Sequence, residues 1–495
     1  MPSHRKGKDS SSKLLPAGGL SSAAKEVPST PTPKTTPATT TTLRRTPAAT
    51  PTPYKKKAPA TPNNASATPK KPKKKKKNNF CAVGMILQDH QKAIHEEILR
   101  SLIINLKIPR PTPTSRLSQM EVFFPVHTIG CIGTEMWRHC MMDDSDAFFG
   151  SVLHMIQDCV HSYDGSLAII PEIFWLSNAQ EMFSFVSLVE KGKPHNNCLD
   201  WKIRMSILRH DLDSLVYNIY QSFIRKIKRH LALMVIPAII EAQPLPGFFT
   251  EDKSAWPITS FMKLTLGTES PPGRTYTTMD IIDLFDSLWK CFEEFFVELV
   301  IVKNVFSELL DLINRVAFND LVRRTNFCSF KRGTYAQCLV YPLKDLERSP
   351  DFAGLQIQYN LQRIEEWCRS HDMTDDLHLL RHIQQATKIG LMRMQSPEDA
   401  HHIFEVCSDL IPAQIYKLVK QYATNNPAIV PPGQKFFQAI TVRLQPGKDF
   451  QNMTIPIIDE ALPFRAPPPR KIDLLSTYLP DDVEAPTVRR IMDII

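Results

Sequence analysis

His378 and His382 stand four residues apart in a stretch whose apolar spacing is helical. On an α-helix that spacing puts both imidazoles on one face, where they could fill two positions of a zinc site. No His-Glu-x-x-His motif accompanies them and no third ligand is evident, so two surface or half-buried histidines are the plainer account. His401, His402 and Cys407 make a weaker cluster still. Glu365 and Glu366 are a paired carboxylate, but adjacent helical residues point in different directions and cannot share a substrate as acid and base. The sequence holds no G-x-x-x-x-G-K-[ST] phosphate loop, no G-x-G-x-x-G and no G-x-S-x-G nucleophile elbow, and only 17 glycines. No catalytic, cofactor-binding or metal-ligating residue is therefore expected. The chemistry on offer is that of binding.

The elements that would carry such residues are helices. Ile281, Phe285, Leu288, Phe292 and Phe295 recur at i, i+4, i+7, i+11 and i+14, with Ile282, Trp289 and Phe296 as a flanking stripe. Val302, Phe306, Leu309, Ile313 and Val316 repeat the pattern, as do Ile357, Leu361, Ile364 and Cys368. These are the stripes of helices packed in bundles, and alternating strand patterns are scarce, so the fold class is all-α. A longer helix is predicted from about Leu199 to about Val235, with Leu208, Leu212, Leu215, Ile219 and Phe223 on one face. Its second half carries Arg225, Lys226, Lys228 and Arg229 outside that stripe. At roughly 50 Å it exceeds what one bundle needs and could tie two together. Breaks fall at 109–113, 193–194, 243–275, 425–433 and 463–470. No sustained heptad appears, so no coiled coil is expected.

Charge divides the 495-residue chain unevenly. Residues 1–79 hold eighteen Lys and Arg against Asp9 and Glu26, while the remainder is mildly acidic. This arm is rich in Thr, Pro, Ala, Ser and Lys with almost no large apolar side chains, so it cannot offset its ordering entropy and is read as disordered. Its run Lys70-Lys71-Pro72-Lys73 to Lys77 could be a nuclear import signal, a polyanion-binding patch or a solvated linker. A basic arm of this kind could meet nucleic acid, anionic lipid or microtubules. The Thr-Pro steps at Thr52 and Thr68, each with a Lys three residues on, suit a proline-directed kinase. Ten scattered cysteines with no Cys-x-x-Cys pair read as reduced thiols of a cytosolic protein. The longest apolar run, Leu231–Ile240, is interrupted by Pro237 and is far short of the ~20 residues that span a bilayer.

One motif is broken. Residues 326–333 read NFCSFKRG and residues 355–368 read LQIQYNLQRIEEWC; joined, they resemble the dilute-domain signature of class V myosin tails, S-W-K-R-G-L-Q-L-x-Y-N-V-x-x-L-E-E-W. Further strings stand in family order: ILRSLIINLKIP (98–109), EMWRHC (135–140), FWLSNAQEMFSF (174–185), VIPAIIEAQPLPGF (235–248), YTTMDIIDLFDSLW (276–289), FNDLVRRTNFCSFKRG (318–333) and LIPAQIYKLVKQY (410–422). The resemblance, nearest to fungal tails, runs from about Phe80 to the C-terminus.

That resemblance implies two packed helical-bundle subdomains, about 80–225 and about 226–448, bridged by the long helix. A C-terminal strap, 449–495, returns to the first subdomain. It also implies a non-enzymatic module in actin-based transport that binds vesicle and organelle adaptors and Rab-type small GTPases, and that can dock on a myosin motor. Membrane would be met indirectly, in the cytoplasm. In fungal tails the signature's Trp and Tyr, with a Lys and a Gln about two turns into the next helix, contribute to secretory-vesicle and Rab binding. Here the Tyr matches Tyr359 and the Lys matches Lys388, whereas Phe330 replaces the Trp and Leu391 the Gln. Lys331, next to Phe330 in the signature, belongs to the same stretch.

Residues 334–354 interrupt what family members carry unbroken. The Gly333 codon can read into GT and the closing Ala-Gly can encode CAG, so a retained intron is one expectation and a surface loop the other. The motor, neck and coiled coil of the family are not in this sequence. The competing reading is a nucleic-acid or chromatin protein that uses the Lys-rich arm, with the helical body as scaffold.

Overall fold

A computed structural model describes residues 74–110, 116–162, 169–191, 199–242, 276–324, 352–425, 431–444, 453–458, 467–470, 472 and 478–495. Among them the regular structure is entirely helical. The arm up to residue 73, Phe330, Lys331 and most of the 334–354 segment lie outside the described residues.

The first bundle begins with α1 (Lys74–Asp89) and α2 (Gln91–Glu97), the latter continuing as a π-helix over Ile98–Ile104. The chain is thus helical from Lys74, inside the arm expected to be disordered to residue 79. The burial of Val83, Ile86 and Leu87 fixes the following turns, and lysine, a good helix former, lets the helix extend backward. α3 (Gln119–Arg138) starts at a capping box in which Ser118 Oγ accepts from the Glu121 N–H at 3.2 Å. α4 (Met142–Ser162) and α5 (Ile170–Lys191) complete this half. α3 and α4 approach closely because Gly133 has no side chain: a Cβ there would lie 2.3 Å from the Phe149 ring.

α6 (Leu199–Val235) has the predicted bounds, and Leu208, Leu212, Leu215, Ile219 and Phe223 are buried along it. Two of the four cations in its second half point inward. Lys226 Nζ lies 3.1 Å from Glu172 of α5, and Lys228 Nζ lies 2.6 Å from Glu308 of α8 (Leu299–Arg323). Tyr220 donates to the other oxygen of Glu308 at 2.7 Å, and Ser222 to Glu172 at 2.6 Å. These buried charges are hydrogen-bonded and paired, the condition for holding them in a dry interior. One rod is thereby pinned to both bundles. At Pro237, which has no N–H to donate, the helix rewinds as a π-helix, Ile236–Glu241.

The second bundle holds α7 (Thr278–Glu294), α8, α9 (Phe352–Ser370), a 3-10 helix Thr374–Leu380, α10 (Arg381–Ile389), α11 (Pro397–Val406), α12 (Pro412–Asn425) and α13 (Gln434–Val442). Ile281, Phe285, Leu288, Phe292 and Phe295 are all buried, as are the predicted stripes of α8 and α9. Ile282, Trp289 and Phe296 are half-buried flanks.

The C-terminal strap crosses both halves. Asn319 of α8 holds Ile455 through two bonds of 2.7 Å: its Oδ1 accepts the Ile455 N–H and its Nδ2 donates to the Ile455 C=O. Farther on, Arg470 pairs with Glu181 of α5 and stacks 4.6 Å from the Phe123 ring centroid. Glu181 is shared with His127 at 2.9 Å, so strap, α3 and α5 meet at one carboxylate. The last helix, α14 (Pro486–Met492), is capped from outside: Glu97 of α2 accepts the Thr487 and Val488 N–H groups at 2.9 Å.

Candidate partner-binding surface

The broken signature divides between two faces of α9. On the inner face Asn360 is buried and donates to the Ile239 and Ala242 carbonyls at 3.0 and 3.2 Å, satisfying the end of the π-helix. Trp367 donates to Asp286 at 2.6 Å, and its ring lies 4.1 Å from His371, 4.8 Å from Phe306 and 5.0 Å from Phe285. Cys368 is buried, and burial pushes its thiol up to about 12. These residues are the packing centre of the second bundle.

Tyr359 sits one position before Asn360 and is half-buried. α9 packs against α10, and Gln384 of α10 donates to Glu365 of α9 at 2.7 Å. α10 is fixed from below by α8: Asn314 accepts the Ile383 N–H at 3.0 Å and meets His382 Nδ1 at 3.2 Å. Ile383, Ala386, Thr387 and Ile389 face inward. Lys388 is exposed in the last turn, where a cation suits the helix dipole. Leu391 is 40% exposed and lies past the helix end, in the turn closed by its N–H on the Lys388 carbonyl at 3.0 Å. Tyr359 and Lys388 thus ride on two packed helices, and Leu391 on the turn that follows the second.

The other sequence candidates resolve into structure. His378 lies in the 3-10 helix and His382 in α10, so their spacing does not follow one α-helical face. His378 Nδ1 lies 2.6 Å from the Asp375 carbonyl oxygen. Burial first, then Arg381 and Arg315, hold His382 below its usual 6.5, against Asp409 and Asp311. Glu365 accepts from Gln384 and Arg369, whereas Glu366 accepts from Gln362, so the two carboxylates serve different partners. Cys407 is buried beneath Gln385, its thiol raised to about 11 by burial, with Lys388 near enough to pull the other way. Among the described residues no group of His, Cys, Asp and Glu could hold a metal ion.

Sequence reasoning did not mark Asn360 or the Glu181–Arg470 pair. The first is inside the signature string; the second was visible only as the charge closing a Pro-rich break. Nor did it mark a groove of about 610 Å³ between α2, its π-helical extension and the strap, lined by Glu97, Arg100, Tyr478 and Glu484 among others.

In its fold and in this two-faced signature the chain is similar to the cargo-binding tails of myosins. The DIL domain family model matches residues 350–426. Myosin-2 of Lachancea kluyveri is 28% identical over 431 residues, covering 83% of this chain and 26% of that protein. A solved structure described as a myosin V cargo binding domain superposes with TM-score 0.66 at 25% identity, covering 85% of this chain and 98% of its own. A second, of Myo2-GTD in complex with Mmr1, gives the same TM-score, identity and coverage. The chain thus carries a DIL domain and shares the fold of the myosin V cargo-binding tail, a binding module and not a catalytic one. It spans about a quarter of the length of that curated relative.

Proposed function

We propose that this chain is a non-enzymatic docking module of actin-based vesicle and organelle transport, which recognises adaptor proteins and, through the outer face of α9 and α10, a Rab-type small GTPase. The observation that carries the reading is the division of the signature: its inner residues hold the bundle together, whereas its Tyr359 is left half-buried outside the core, with Lys388 and Leu391 of the next helix and turn exposed. Phe330 and Lys331, which stand in the same signature but outside the described residues, would take part in the same recognition. Adaptor binding is supported by similarity to the Myo2 tail solved with Mmr1. The body divides at about residue 225 into two subdomains, and the strap, 449–495, holds them in register. Docking on a myosin motor and residence on vesicles along actin follow from the same likeness. Where Leu391 replaces the family's Gln, the surface loses a hydrogen-bonding amide and favours a more apolar partner.

Pulldown with the full chain tests this. GTP-loaded vesicle Rab proteins and organelle adaptors should be recovered, with the Rab lost on Tyr359→Glu and the adaptors retained. Recovery of neither class would overturn the proposal.

A further inference from the structure

We propose that the channel between α6, α8 and α12, filled by the strap segment 453–458, is a peptide-binding site, and that a partner peptide of the pattern apolar-x-apolar-Pro can take the segment's place. The segment is neither helix nor strand. Side chains from three helices nevertheless grip it, each by its main chain. Gln414 of α12 donates to the Met453 carbonyl at 3.1 Å. Asn319 of α8 donates to the Ile455 carbonyl and accepts the Ile455 N–H, both at 2.7 Å. Arg315 of α8, oriented by Asp311, donates to the Pro456 carbonyl, and Lys228 of α6 to the Ile458 carbonyl at 3.5 Å. The paired contact of Asn319, one donor and one acceptor to a single residue, is the complement of a polypeptide main chain.

Asn319, Gln414 and Lys228 are only 3%, 4% and 7% exposed. An emptied channel would strand their buried polar atoms, which is unfavourable. Exchange for another peptide is not, because the incoming main chain remakes the same bonds. The resident side chains add little to the grip. Met453 and Ile455 are half-buried against the core, whereas Pro456, Ile457 and Ile458 are exposed. The two inward residues stand two positions apart, which sets the apolar-x-apolar spacing. The proline that follows has no N–H to leave unpaired, and it biases the residue before it toward an extended backbone. The strap is tethered and competes at high effective concentration, so the native chain should bind a free peptide weakly. Because the strap goes on to Arg470 and its Glu181 partner in the first bundle, exchange here would loosen a link between the two halves. The site uses none of the residues proposed for Rab recognition.

The test is fluorescence anisotropy of a labelled Met-Thr-Ile-Pro-Ile-Ile peptide titrated with the full chain. Ile455→Asp, which weakens the resident segment's inward contact, should tighten peptide binding at least about tenfold over the native chain. Gln414→Glu added to that variant removes the donor to the first carbonyl and should undo the gain. A peptide with Asp at its third position should bind none of these chains. Met453→Asp is read in the same way where Ile455→Asp fails to fold, with helical circular dichroism as the check. No binding to a folded variant, or binding that Gln414→Glu leaves unchanged, overturns the proposal. So does loss of the helical signal in both variants, which would make the segment a fixed part of the core.

Discussion

The inner and outer faces of α9 and α10 carry residues of similar kinds to opposite ends. Trp367 and Asn360 face inward, spend their polar atoms on Asp286 and on two backbone carbonyls, and leave nothing for a partner. Tyr359 and Lys388 lie on the same two helices, yet neither is buried. The difference teaches that a family signature mixes two selective demands. Its spacing of aromatics reads as one motif, but one part of it is packing and the other is proposed to be recognition, and the two should fail in different ways when altered.

The largest effect should come from the inner face. Trp367→Ala removes a ring that touches Phe285, Phe306 and His371 and strands Asp286; a loss of about 3–5 kcal/mol in chemical denaturation is expected. Asn360→Ala leaves the Ile239 and Ala242 carbonyls without their donor, at about 1–3 kcal/mol by the same assay. If either variant kept full stability while losing a partner, the division between faces would be broken. On the outer face, Lys388→Glu should weaken Rab binding by about tenfold, the order expected of a hot-spot cation, with the denaturation midpoint unchanged. Leu391→Gln should shift preference toward partners of tails that carry Gln there, read by competition between two Rab proteins. The smallest effect concerns His382. Its folded pKa is held below 6.5, so the unfolded chain takes up a proton first as pH falls and stability declines from about pH 6.5 downward. His382→Gln should flatten that decline between pH 6.5 and 5.5, read by denaturation at each pH.

Much of this was legible beforehand. The stripes at Ile281–Phe295 and Val302–Val316 are buried as their 3.6-residue spacing required, and α6 runs from Leu199 to Val235 as its apolar face indicated. Long amphipathic periodicity survives tertiary packing because the core is what it encodes. What could not be read were pairings between distant segments. Lys226 and Lys228 stand outside the apolar stripe in sequence, yet each reaches a buried glutamate, Glu172 and Glu308, that only the assembled fold brings near. Arg470 and Glu181 are likewise joined across 289 positions. At the candidate surface, the residue types at 359, 388 and 391 were evident. Their outward setting depended on Asn314 and Gln384 fixing α10, which no local pattern announces. The chain at 334–354 awaits the transcript: reads that span it in most mature messages would make it a true part of the protein.

The most direct test pairs two readouts on one variant. Titration of GTP-loaded vesicle Rab onto the full chain and onto Tyr359→Glu, with the Tm of each, should show affinity falling at least tenfold while Tm stays put. Unchanged affinity, or a loss of affinity matched by a collapse in Tm, would contradict the claim that this helix face exists for recognition and not for packing.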